Sequence, residues 1–92
     1  MIINGLYFET VENIKPNSKS NILFIHGFTS NYQKHQFIEK YLPEDISFYA
    51  INLPGSENTP THIKLEHTRE NYATIIANYI KILDLKDIVI VA

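Results

Sequence analysis

Three short apolar runs dominate the chain: Ile22-Leu23-Phe24-Ile25, Ile46-Ser47-Phe48-Tyr49-Ala50-Ile51 and Ile88-Val89-Ile90-Val91-Ala92. The first and last are apolar at every position. A strand without polar alternation has both faces buried, which is the mark of a parallel position inside an α/β sheet. The stretches between the runs change period. Phe37, Ile38, Tyr41 and Leu42 fall at helical spacing and stop at Pro43. Tyr72, Ile75, Ile76, Tyr79, Ile80 and Leu83 form one apolar stripe, which predicts a helix over Thr68–Leu83. Ser30 and Gln33 have the spacing of a capping box at the start of the first helix. Ile2–Phe8 reads as a further strand, followed by the turn-rich Pro16–Asn21. Strand, helix, strand, helix, strand gives an α/β fold with a mainly parallel sheet.

Composition narrows the function. Eight Lys and Arg against ten Asp and Glu leave a net charge of −2, whereas a nucleic-acid or anionic-membrane surface needs clustered positive charge. The apolar runs are far shorter than the ~20 residues of a membrane-spanning helix. Met1–Gly5 lacks the basic, then apolar, pattern of a secretion signal. With no cysteine there is no disulfide, thiolate metal site or cysteine nucleophile, and a cytoplasmic setting is expected. His62 and His67 are five residues apart and do not share a helical face, so no metal site is expected. They and His35 are expected at the surface.

Three motifs follow the runs in order. Phe24-Ile25-His26-Gly27-Phe28-Thr29-Ser30 closes the first run. Ile51-Asn52-Leu53-Pro54-Gly55-Ser56 closes the second. Leu83–Ala92 leads into and through the third. In these motifs the chain resembles the α/β-hydrolase superfamily. Its members carry an HGF- or HGG-type motif after the third strand, a D-x-P-G-x-G loop after the fourth, and a nucleophile elbow after the fifth. The resemblance runs from about Ile22 to Ala92. It departs from the pattern at Asn52, where the family usually has Asp, and at Ser56-Glu57. The Pro54-Gly55 pair serves as a turn.

The resemblance implies that residues 1–92 are one partial domain, the N-terminal third of an α/β-hydrolase, ending before the elbow. It implies an esterase- or lipase-like serine hydrolase acting on a small acyl ester, with no cofactor and no metal. The Phe28 backbone N–H would be an oxyanion-hole donor, with His26 and Gly27 holding the loop shape and the Phe28 side chain lining the acyl pocket. Such donors stabilise the negative oxygen of the tetrahedral intermediate. No residue of the chain is assigned as catalytic: nucleophile (Ser or Asp), acid and base would lie past Ala92. Ser30 reads as a helix cap, because it lies in G-F-T-S and not G-x-S-x-G. The chain alone is therefore expected to be inactive and, with an apolar strand at its sheet edge, to self-associate. The rival reading is a free-standing, non-catalytic α/β module that binds a ligand or partner. A flavodoxin-like domain would need a phosphate-binding loop, to which His26–Ser30 is poorly suited.

Overall fold

In the structure, a computed structural model, residues 1–26, 32–53 and 68–92 are described, with the backbone alone at Tyr32 and at 34–36. A short antiparallel hairpin comes first, β1 (Ile2–Ile3) and β2 (Leu6–Tyr7). Its turn is Asn4-Gly5, with φ of 53° and 80°. Both angles are left-handed, and Asn-Gly is the pair that tolerates this in a two-residue hairpin. The single strand expected over Ile2–Phe8 is thus folded back on itself.

Four strands build the main sheet: β3 (Thr10–Asn13), β4 (Ser20–Ile25), β5 (Ile46–Ile51) and β6 (Ile88–Val91). Their order is β3-β5-β4-β6. Strand β4 pairs in parallel with both β5 and β6, and β3 pairs antiparallel with β5. The fold is α/β with a mainly parallel sheet. Strand β3, Thr-Val-Glu-Asn, adds an antiparallel edge that its polar composition conceals.

Two helical segments cover opposite faces. The helix α1 (Arg69–Ile82) starts at Thr68, whose hydroxyl accepts the Asn71 N–H at 3.1 Å. At its other end Leu85 N–H bonds to Ile80 O and Asp84 N–H to Lys81 O, with Asp84 at φ 51°. This pair of bonds is a Schellman closure. The stripe read from the sequence packs as expected: Ile75 and Tyr79 join Leu23, Tyr49, Ile51, Ile3 and Phe8 in one buried cluster, flanked by Tyr72, Ile76, Ile80 and Leu83. The opposite face carries Phe24, Phe48 and Ala50, covered by Ile38 and Leu42.

Ile38 lies in the segment Tyr32–Tyr41, which is a 3₁₀ helix, and Leu42 directly follows it. The four-residue apolar set expected there is only half used, since Phe37 and Tyr41 are exposed. A tighter helix of three residues per turn cannot keep all four positions on one face. Strand β6, apolar throughout, is the outer strand of the sheet, the edge position expected for it in this chain, and Val89, Ile90 and Val91 are 57%, 52% and 40% exposed. Among the described residues no strand pairs with its far side.

Candidate active-site rim

The register of the sheet brings three polar residues to one level. Ile51 is the partner of Thr10 on one side and of Ile25 on the other. One step further lie His26 and Asn52, just past the C-terminal ends of the parallel strands β4 and β5, and Glu9, just ahead of the antiparallel strand β3. From β4 the chain steps to β5 on one side; from β5 it crosses back over β4 to β6 on the other. The two connecting helices pack on opposite faces, as right-handed crossovers require when the stepping direction reverses. That reversal is a topological switch point, and open α/β sheets place ligands in the crevice outside the strand ends there. His26 stands at this point.

His26 is 9% exposed, and its Nε2 accepts the backbone N–H of Leu53 at 2.8 Å. Nε2 therefore carries no proton in this geometry. The bond fixes the exit of β4 to the exit of β5.

Beside it lies a set of hydrogen bonds among Glu9, Gln33 and Asn52. The Asn52 backbone N–H donates to Glu9 O at 2.9 Å, continuing the β3–β5 ladder by one residue. Gln33 Nε2 donates to Glu9 Oε1 at 2.6 Å. Asn52 Nδ2 donates to Gln33 Oε1 at 3.0 Å and to Glu9 Oε2 at 3.4 Å. Asn52 has no solvent exposure. It follows Phe48 and Ala50 in the alternation of β5, so its side chain shares the face covered by the 3₁₀ helix, where Gln33 resides.

The amide of Gln33, the residue paired with Ser30 in the expected capping box, is engaged by Glu9 and Asn52; the pairing with Ser30 itself lies outside the described residues. Asn52, the position that departs from the D-x-P-G-x-G pattern, is a buried donor. Glu9 carried no signal in the sequence, since its partners are 24 and 43 residues away. Gly27, Phe28, Ser30, Pro54, Gly55, Ser56, Glu57, His62 and His67 lie outside the described residues, as does the side chain of His35. Among the described residues no group of three or more His, Cys, Asp or Glu could hold a metal ion, and no helix is long and apolar enough to cross a membrane. A shallow cleft lined by Lys15, Pro16, Asn17, Glu44 and Asp45 lies at the other end of the sheet, where β4 and β5 begin.

Known proteins with similar sequences are lipases and esterases by name. Over 45 residues the chain is 31% identical to "Monoacylglycerol lipase abhd6-A" of Xenopus laevis, covering 49% of this chain and 13% of that protein. The frog protein "Monoacylglycerol lipase abhd6-B" gives the same figures. Over 74 residues the chain is 28% identical to "Putative esterase/lipase 1" of Mycoplasma pneumoniae, covering 80% of this chain and 27% of that protein. The chain thus spans about a quarter or less of the length of these relatives. No family model and no solved structure matches it. The likeness is a distant, α/β-hydrolase-like one, at low identity and over part of the chain.

Proposed function

We propose that the chain is the N-terminal part of a serine ester hydrolase of the α/β-hydrolase type, contributing one side of the oxyanion hole and none of the triad. The observation that carries this reading is the place of His26, the first residue of the His26-Gly27-Phe28 motif, just past the C-terminal end of β4 and at the switch point of a mainly parallel sheet. The named lipase and esterase relatives support the same chemistry. In this reading a small acyl ester is attacked by a serine from the complete domain, and an acyl-enzyme forms and is hydrolysed. The Phe28 N–H, with the N–H of the residue after the nucleophile, receives the developing oxyanion. Lack of cysteine supports a reducing, cytoplasmic setting.

The test has two arms. The 92-residue chain hydrolyses p-nitrophenyl acetate and butyrate at background rate, because donors without a nucleophile–base pair give little catalysis. Serine-dependent turnover by the chain alone, abolished by a fluorophosphonate, refutes this. In a chain continued through the complete domain, Phe28→Pro removes the assigned donor and lowers kcat by ~10²–10³. Phe28→Ala keeps the N–H and shifts acyl preference. Equal kcat for a folded Pro variant and its parent removes the oxyanion assignment and favours a non-catalytic binding module.

A further inference from the structure

We infer that Glu9, Gln33 and Asn52 are positioning residues, a hydrogen-bonded triangle that holds the two flanks of the His26–Gln33 stretch in fixed relation. The inference rests on the ester-hydrolase reading for what is positioned, and on the hydrogen bonds alone for the triangle itself. The three side chains come from three places. Glu9 lies just ahead of β3, Gln33 in the first turn of the 3₁₀ helix and Asn52 just past β5. They close on one another at 2.6, 3.0 and 3.4 Å. Asn52 is fully buried, and its backbone is bonded to Glu9 as well. The next residue, Leu53, donates to His26. His26 and Gln33, which bracket residues 27–32, are thus both tied to the Asn52-Leu53 pair.

The donor count decides which residue types can do this. A carboxylate only accepts, and each carboxamide has one acceptor oxygen and two N–H hydrogens. Gln33 gives one hydrogen to Glu9 and accepts with its oxygen. Asn52 gives its hydrogens to both partners. The triangle therefore needs a twofold donor at position 52. An aspartate there has none, and it would set a second carboxylate against Glu9 in a buried position. Like charges and unmet acceptors both oppose that. An oxyanion donor works only when held within about 0.5 Å of its place, and a stretch whose two flanking residues are both tied by hydrogen bonds meets that need better than one tied at a single end.

The experiment is a double-mutant cycle on Asn52→Asp and Glu9→Gln. On the 92-residue chain, at fixed protein concentration, the readouts are thermal melting and amide exchange at Leu53. Asn52→Asp lowers the melting temperature by roughly 5–10 °C and speeds Leu53 exchange at least about tenfold. Adding Glu9→Gln puts a donor opposite the new carboxylate and recovers at least half of both losses. A double variant no better than the sum of the singles overturns the triangle. On an active chain continued through the complete domain, either single change lowers kcat about tenfold with KM within about twofold, and the double variant regains kcat. Coupled exchange with unchanged kcat overturns the positioning role. A parent with no ester turnover removes the hydrolase reading, and that role with it, while the melting cycle still decides the triangle.

Discussion

At the scale of single residues, the rim is governed by how few acceptors are available to a buried N–H. Leu53 is 7% exposed, and its N–H has its bond from the side chain of His26, not from a strand neighbour. The β4–β5 ladder ends one residue earlier, at Ile25 and Ile51, so the imidazole continues the ladder with a side-chain atom. His26→Ala removes the acceptor and takes away this bond from a buried backbone donor. The expected cost is about 1–3 kcal/mol, the usual penalty for a buried group left unpaired. For a chain of this size that is a fall of roughly 4–8 °C in melting temperature per kcal/mol. His26→Asn, whose side-chain oxygen can accept, should lose less. Denaturant melts of the two variants check this; equal stability for His26→Ala and the parent would show that the Leu53 N–H does not depend on the ring.

At the scale of elements, helix α1 is held to the sheet by its tyrosine more than by its ends. Tyr79 is fully buried in the cluster with Leu23, Tyr49 and Ile51, and its hydroxyl donates to Val11 O at 3.3 Å. Burial first, and then the negative charge of Glu12, push the phenol far above its ordinary range. Below about pH 10, the ordinary tyrosine value, both folded and unfolded chains keep the proton and stability is unaffected. Above it the unfolded chain ionises while the folded one does not, so stability falls by about 1.4 kcal/mol per pH unit as pH rises. Tyr79→Phe should lose the Val11 bond, a modest cost near neutrality, and show a shallower alkaline limb. Denaturant titrations between pH 8 and 11 compare the two; parallel alkaline limbs would mean that Tyr79 ionises equally in both states. The apolar stripe containing Tyr79 made α1 legible in the sequence, and short, largely apolar runs did the same for β4, β5 and β6. Strand β3 was not legible because an edge strand of Thr-Val-Glu-Asn buries too little to show a pattern. The Asn4-Gly5 hairpin carried a signal, the Asn-Gly pair, that a run of flanking apolar residues masks. Of the site, His26 was legible as a strand end. The partners of Glu9 were not, because hydrogen bonds between residues 24 and 43 apart leave no local period.

At the scale of the whole molecule, the two outer strands differ in kind. On one side β3 presents Glu12 and Asn13, and charge or amide groups on an edge discourage further pairing. On the other, β6 is Ile-Val-Ile-Val, without Pro, Lys or Glu, and its last three residues are 40–57% exposed. Its N–H and C=O groups on the side away from β4 have no strand partner among the described residues. Apolar β-branched side chains and a free ladder together favour strand-to-strand association. A second copy of the 92-residue chain can satisfy both by pairing β6 against β6. We therefore expect the chain, produced by itself, to run as dimers or larger species in size-exclusion chromatography with light scattering, growing with concentration. Ile90→Lys places a charge in the middle of the edge and should shift the population toward monomer. Asn13→Lys, on the opposite edge, should leave it unchanged. If the association came from general stickiness, both lysines would act alike, and β6 would lose its special role. A parent that elutes as a single monomer at about 100 μM and melts cooperatively would show that β6 tolerates its exposed edge, and the weight would move from a piece of a larger hydrolase sheet to a self-sufficient binding module.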